Sequence, residues 1–120
     1  MSPLHITIRD NRTAFRPGEE IEDTVSWSFA GTVPEAMELR LFWFTRGKGT
    51  QDVGVYENVR RDALSAEEVR RFRFRLPHAP YSFSGKYVSL TWALELVTEP
   101  PGEMERLEII LSPSGTEIEL

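Results

Sequence analysis

The segment Phe72–Val97, FRFRLPHAPYSFSGKYVSLTWALELV, decides the fold because apolar and polar residues alternate in both of its halves. In the second half, every other residue is apolar; this set is Val88, Leu90, Trp92, Leu94 and Leu96. The first half alternates Phe72, Phe74 and Leu76 with the basic residues Arg71, Arg73 and Arg75. A period of two separates the two faces of a strand, whereas a helix would scatter the arginines around its axis. The segment therefore predicts two β-strands, each with one buried face, joined by a loop that contains prolines.

Shorter alternating stretches lie on both sides of this segment, with Gly, Pro, Asn or Asp between them. Their apolar positions lie within residues 4–8, 21–29, 39–44, 53–59, 107–111 and 118–120. A type II turn is expected at residues 16–19, where Pro17 fixes φ and Gly18 takes a positive φ. Ser65–Glu68 matches a helix capping box, but the strand pattern follows at once, so we expect at most one helical turn. Seven or eight short strands predict an all-β fold, an antiparallel two-sheet sandwich, with residues 1–120 forming a single domain.

Composition narrows the range of functions. The chain is 40% hydrophobic and 28% charged, as in ordinary globular proteins, and its net charge of −5 gives no reason to expect nucleic acid as a partner. The absence of cysteine excludes disulfides and thiolate metal sites. The sequence shows neither a signal-type N-terminus nor an apolar run near 18 residues, which predicts a cytoplasmic protein with no transmembrane segment. His5 and His78 lie at no metal-ligand spacing, and no G-x-S-x-G motif is present, so we expect neither a metal or cofactor nor an enzyme.

Two segments carry a resemblance to a known family. FRPGEEIEDTVSW (Phe15–Trp27) resembles the opening of arrestin-like domains, with an aromatic residue, a Pro-Gly-Glu turn and then a strand. FRFRLPHAPYSFSGKYVSLTWALEL (Phe72–Leu96) is similar to the arrestin-family strand that ends in Leu-Pro, its serine-containing loop and the long strand after it. The sequence departs from the family in two ways: Asp23 stands where glycine is usual, and the chain has one sandwich where arrestins and the retromer's arrestin-like subunit have two. The resemblance implies an immunoglobulin-like (arrestin-like) β-sandwich that works as an adaptor or scaffold.

This resemblance favours a non-enzymatic domain that acts through protein contacts with an unidentified partner and could also self-associate as a homo-oligomer. A carbohydrate or small-ligand binding module is the alternative, and a small hydrolase is a more distant one. The first candidate contact is the arginine row, Arg71, Arg73 and Arg75, which could bind acidic peptide or phosphate by bidentate contacts. The other interpretation of this row is a solvated strand face crossed by acidic residues of the neighbouring strand.

The second candidate contact is the phenylalanine pair, Phe42 and Phe44, which projects from the side of its strand opposite to the apolar set of Leu39, Leu41 and Trp43. This phase predicts an exposed apolar patch of the kind that marks a protein contact. The alternatives are a bulge that turns one ring inward, or cover by the loop 45–51 or by the C-terminal tail.

Three further expectations concern the tryptophans, one aspartate and one glycine. Trp27, Trp43 and Trp92 share the inward phase of three strands, which predicts core packing rather than a carbohydrate platform. Asp23 also lies in an inward phase, so it must sit at a sheet end, face a bulge or have a partner. Gly54 suggests a bulge or a close backbone approach.

Overall fold

Two β-sheets pack face to face in the computed structural model of this chain, which describes residues 2–47, 49 and 51–120. One short 3-10 helix, Arg9–Asn11, lies at the turn predicted after the first strand. The strands are β1 (Leu4–Ile6), β2 (Ala14–Phe15), β3 (Glu20–Ser28), β4 (Ala36–Gly47), β5 (Val53–Asp62), β6 (Glu67–Arg75), β7 (Phe83–Ser84), β8 (Val88–Glu99), β9 (Met104–Leu111) and β10 (Ile118–Glu119). In the described residues, no helix is long and apolar enough to cross a lipid bilayer.

The smaller sheet has the order β1-β3-β6 and is antiparallel throughout. The larger sheet is built on the antiparallel strands β5-β4-β8. The far side of β8 pairs with β7 near its start and with β9 along the rest of its length. Two short additions are parallel: β10 joins β7, and β2 joins β9. This arrangement leaves β5 at one end of the larger sheet and β6 at one end of the smaller sheet.

The core lies between the sheets and is built by the alternation visible in the sequence. Strands β4 and β8 pair over their full lengths, from Ala36 opposite Glu99 to Gly47 opposite Val88. Their inward residues include Leu39, Leu41, Trp92, Leu94 and Leu96, which are almost completely buried. The smaller sheet contributes Leu4, Ile21, Val25, Trp27, Phe72 and Phe74 to the same cluster. Burying such side chains contributes roughly 1.5–3 kcal/mol each, which makes this cluster the main source of stability.

The three tryptophans behave largely as predicted. Trp27 and Trp92 are buried core residues, and each indole N–H donates to a backbone carbonyl, that of Ser65 at 3.0 Å and that of Pro80 at 2.7 Å. Trp43 packs against the core but is only half-buried. Its ring lies over the backbone of Gly54, where an added Cβ would come within 2.3 Å of the indole. The close approach predicted at Gly54 is therefore confirmed.

The turn before β3 forms as the sequence predicts. The N–H of Glu19 donates to the Arg16 carbonyl at 3.1 Å, and Gly18 has a φ of +81°. The Glu19 carboxylate accepts from Arg12 at 3.0 Å and from the backbone N–H of Arg16 at 2.7 Å. These bonds, that from Arg12 foremost, lower the pKa of Glu19. The carboxylate therefore ties this turn to the segment that precedes β2.

The predicted capping box forms only one of its two bonds. The backbone N–H of Ser65 donates to the Glu68 carboxylate at 2.7 Å, and this bond lowers the pKa of Glu68. No helical turn accompanies it, because β6 already begins at Glu67. The motif here marks the entry to an edge strand rather than to a helix.

The sequence-based fold class is confirmed: the structure is an all-β sandwich of two sheets, with a larger number of strands than predicted. The described residues form ten strands, and the two additional ones are the two-residue strands β2 and β7. Strands of this length contain no alternating pattern that a sequence could show. The parallel pairs of β2 with β9 and of β10 with β7 are likewise exceptions to the expected antiparallel order.

Candidate protein-contact surfaces

The arginine row lies on the outer face of β6, across from an acidic row on β3. In the register of these strands, Arg75 lies opposite Glu20, Arg73 opposite Glu22 and Arg71 opposite Thr24. Arg73 and Arg75 both reach Glu20, at 3.0 and 3.4 Å. For these two arginines the structure therefore shows the second interpretation, a solvated strand face with acidic residues of the neighbouring strand lying across from it. All three side chains are exposed, so these surface pairs are worth about 1 kcal/mol or less.

Arg71 differs from the other two arginines of the row because its neighbour on β3 is a threonine. Within the described residues, Arg71 has no carboxylate at ion-pair distance. It lines an open surface cavity of about 550 Å³ together with Arg9, Glu22, Asp23, Phe72 and Arg73. Asp23 is half-buried there, and this open cavity gives solvent access to the carboxylate that the sequence placed in an inward phase. Arg71 is therefore the basic side chain of the row that is best placed to meet a carboxylate from another molecule.

Arg71 also borders a narrow slot between the edges of β5 and β6, which we call the edge slot. Core side chains form its floor, and Arg61, Arg70 and Arg71 are its basic residues. Its cavity volume of about 30 Å³ is far below the 300–1,000 Å³ typical of small-molecule sites. The slot is therefore too small for a small-molecule ligand. Arg70 is paired with Glu68 at 2.6 Å, whereas Arg61 and Arg71 have no carboxylate partner within the described part of the chain.

The phenylalanine pair does not form the exposed patch that the sequence predicts, and this expectation is wrong. Phe42 and Phe44 are only 5% and 8% exposed, and with Ala93 they form a small cluster on the outer face of the larger sheet. The two rings stack with centroids 5.8 Å apart. The guanidinium carbon of Arg106 lies 5.2 Å from each ring centroid, and that of Arg46 lies 4.9 Å from the Phe44 ring. Arginine side chains therefore cover the rings from strand β9 and from the end of β4.

A bulge in β5 accompanies this arrangement, but it does not turn either ring inward. The register between β4 and β5 shifts between Leu41 and Phe42, which leaves Tyr56 as the extra residue. Both rings remain on the outer face. Lys48 and Thr50, which belong to the loop 45–51 considered as a cover, lie outside the described residues.

Arg106 is held over the phenylalanine pair by a buried carboxylate. It donates from Nε and Nη2 to one oxygen of Glu95 at 3.0 and 2.6 Å, and Glu95 is only 8% exposed. Arg40 approaches the other oxygen of Glu95 at 3.6 Å and also pairs with Glu38. A carboxylate between two arginines satisfies the requirement that buried charges be paired. This network fixes the arginine cover in place.

The two histidines and the tryptophans are the residues to consider for metal and sugar binding. His5 and His78 are both exposed, and in the described residues no cluster of three or more His, Asp or Glu side chains could hold a metal ion. Trp27 and Trp92 are buried in the core, so they cannot form a flat platform for sugar rings. The described surface presents arginine and glutamate side chains and open strand edges, features that peptide contacts can use.

Comparisons with known proteins support the fold. No protein-family profile matches this chain, and no curated protein matches its sequence. Among solved structures, the sporulation control protein Spo0M from Bacillus subtilis matches 92% of this chain, with a TM-score of 0.60 and 17% sequence identity. The chain covers 49% of Spo0M, which is about half of its length. This likeness supports an arrestin-like fold for the chain.

Proposed function

We propose that this chain is a non-enzymatic, cytoplasmic adaptor or scaffold domain, one arrestin-like sandwich that binds a partner protein through an extended acidic segment laid along β6. The arrestin-like fold is generally non-enzymatic and is often protein-interacting, which supports the general class. The observation that carries the proposal is the free edge of β6. Strand β6 has β3 on one side and, among the described residues, no strand on the other, and Arg71 on this strand has no carboxylate partner.

An unpaired strand edge presents a row of N–H and C=O groups to which an extended peptide can add as a further strand. Backbone bonds would then provide affinity, and side chains would provide specificity. A carboxylate at the position beside Arg71 would form the charge-assisted bidentate contact that this guanidinium lacks within the described chain. Exposed Val69 on the same face offers an apolar neighbour.

The phenylalanine pair is a less favourable contact in this proposal. Arg46 and Arg106 would have to leave the rings before a partner could reach them, and displacing Arg106 would strip the buried Glu95 of its closest cation. Leaving a buried carboxylate without its partner is strongly unfavourable. The same cost applies to self-association through these rings, because a second copy would also have to displace Arg46 and Arg106.

Fluorescence polarisation with defined peptides tests the proposal. The probe is a labelled nine-residue peptide that alternates Glu and Val, matched to the nine residues of β6, and the comparison peptide alternates Lys and Val. We expect the acidic peptide to bind more tightly than the basic one, and Arg71→Glu to weaken its binding by about tenfold or more. Lys86→Glu makes the same charge change on the exposed turn before β8 and should leave binding unchanged. Equal binding of the two peptides, or an Arg71→Glu protein that binds like wild type, would contradict the proposal.

A further inference from the structure

Strand β5 is a second open edge, and its surroundings differ from those of β6. It is ten residues long and pairs with β4; in the residues that the structure describes, no strand lies on its other side. Exposed strand edges are usually protected by short length, prolines, bulges or charged side chains, lysine above all. Residues 53–62 contain neither proline nor lysine, and most of their side chains are exposed. The bulge lies at Tyr56, and the four charged residues after it carry both signs, so residues 57–62 can pair with a strand of complementary charge.

The backbone of β5 presents its free groups at defined residues. The N–H of Thr45 donates to the carbonyl of Asp52 at 2.9 Å, which shows which side of the strand faces β4 at this end. Backbone groups alternate between the two sides of a strand, and the bulge at Tyr56 shifts that alternation by one residue. Counting through the bulge, Asn58 and Arg60 turn their N–H and C=O groups to the free edge.

The sequence of β5 is complementary to itself in one antiparallel register. When Val59 lies on a two-fold axis, Asn58 of one copy forms a hydrogen-bonded pair with Arg60 of the other. Glu57 then lies opposite Arg61 twice, in the non-hydrogen-bonded pairs where side chains approach most closely. Opposite charges facing each other across a strand pair are stabilising. An axis at Asn58 would pair no opposite charges, and one at Arg60 would set two arginines against each other.

The edge slot supports the same register. Arg61 lines this slot beside Arg70 and Arg71, three guanidinium groups for which the described residues provide only the carboxylate of Glu68. In the register centred on Val59, Glu57 of the second copy comes to the β5 side of the slot and adds a carboxylate opposite Arg61. Because the contact is isologous, it reduces the electrostatic repulsion among these arginines in both copies at once.

From these observations we propose that this chain forms a symmetric dimer in which the β5 strands of two copies pair antiparallel about Val59, with Glu57 opposite Arg61 at two equivalent positions. The two larger sheets then become one continuous sheet across the dimer. This proposal goes beyond the adaptor function and does not rest on it, since it uses β5 and a second copy rather than β6 and an acidic partner.

Sedimentation of two single variants and their mixture tests the dimer. In wild type we expect a concentration-dependent monomer–dimer equilibrium. Glu57→Arg and Arg61→Glu should each weaken self-association by about tenfold or more, because each variant sets like charges opposite each other at both positions. An equimolar mixture of the two variants should dimerise again, because opposite charges then face each other at both positions. Glu117→Arg, the same charge change at an exposed position near the C-terminus, is the matched control.

Circular dichroism and thermal unfolding of each variant establish that the fold is retained. A wild-type protein that stays monomeric throughout the concentration series would overturn the proposal, as would folded single variants whose mixture does not dimerise. The acidic-peptide assay separates this outcome from the adaptor proposal, because Glu57→Arg should leave peptide binding at β6 in place. Loss of dimerisation with intact peptide binding would therefore show that only the contact between the β5 strands is disrupted.

Discussion

Trp92 offers the most direct test of how the core is built. It lies in the middle of β8, opposite Trp43 on β4 and Ile109 on β9, and its side chain has no solvent exposure. Its ring and that of Tyr56 form a T-shaped pair at a centroid distance of 6.2 Å. The indole N–H donates to the Pro80 carbonyl at 2.7 Å, which ties the loop before β7 to the core. Replacing this side chain therefore removes both apolar volume and a hydrogen bond.

The two contributions can be separated with two substitutions. Trp92→Ala leaves a large cavity, which costs about 3–5 kcal/mol, and it also leaves the Pro80 carbonyl without its donor. Trp92→Phe keeps an aromatic ring and loses the N–H and part of the volume, so we expect a cost of about 1–3 kcal/mol. A domain of this size has a total stability of about 5–15 kcal/mol, so the alanine variant should lose a large part of it.

Urea unfolding followed by far-UV circular dichroism measures both costs without depending on tryptophan fluorescence. With a slope of about 2 kcal/mol per molar urea, Trp92→Ala should lower the midpoint by roughly 2 M, and Trp92→Phe by about half as much or less. An unchanged midpoint and slope for Trp92→Ala would refute the placement of this residue in the core. A phenylalanine variant as unstable as the alanine variant would refute the separation into volume and hydrogen bond.

Three further predictions concern the sheet faces and the turn before β3. The double change Phe42→Ser, Phe44→Ser should destabilise the fold by roughly 1.5–3 kcal/mol per ring, measured by urea unfolding, because both rings are buried; a fully stable double variant would contradict this. Gly54→Ala should cost about 1–3 kcal/mol because its Cβ would meet an indole ring at 2.3 Å, whereas Gly31→Ala, with nothing within 4 Å, should be nearly neutral in thermal unfolding. The lowered pKa of Glu19 stabilises the folded state above the ordinary carboxyl pKa, and this contribution is lost as the pH falls through the lowered value. Glu19→Gln should therefore reduce the loss of stability on acidification, by less than about 1 kcal/mol because the side chain is 36% exposed; equal acid sensitivity of the two proteins would refute this.

The sequence could predict those parts of the fold that depend on local periodicity. The inward phase of Leu90, Trp92, Leu94 and Leu96 is a property of β8 alone, and the positive φ of Gly18 is a property of a four-residue turn. Both were therefore visible in the sequence, as was the two-sheet architecture that follows from several such strands.

The environment of the candidate contacts could not be predicted in the same way. The cover over Phe42 and Phe44 comes largely from Arg106, a residue more than sixty positions later in the sequence, which reaches the rings only after β9 has paired with β8. Likewise, the difference between Arg71 and the other arginines of its row depends on the register with β3, which places Thr24 beside it. The spacing of residues within one strand does not contain such information.

The pairing of β4 with β8 has a consequence for the rate of folding. These two strands form the centre of the larger sheet, yet their nearer ends are separated by about forty residues, and β5, β6 and β7 intervene. The chain must close this long loop before the central strand pair can form, and loop closure of this kind slows folding. Sandwiches dominated by such non-local pairs fold in milliseconds to seconds. Substitutions in the facing residues Leu41 and Leu94 report when this strand pair forms. They should slow refolding if the pair is already formed in the transition state, and mainly accelerate unfolding if it forms later.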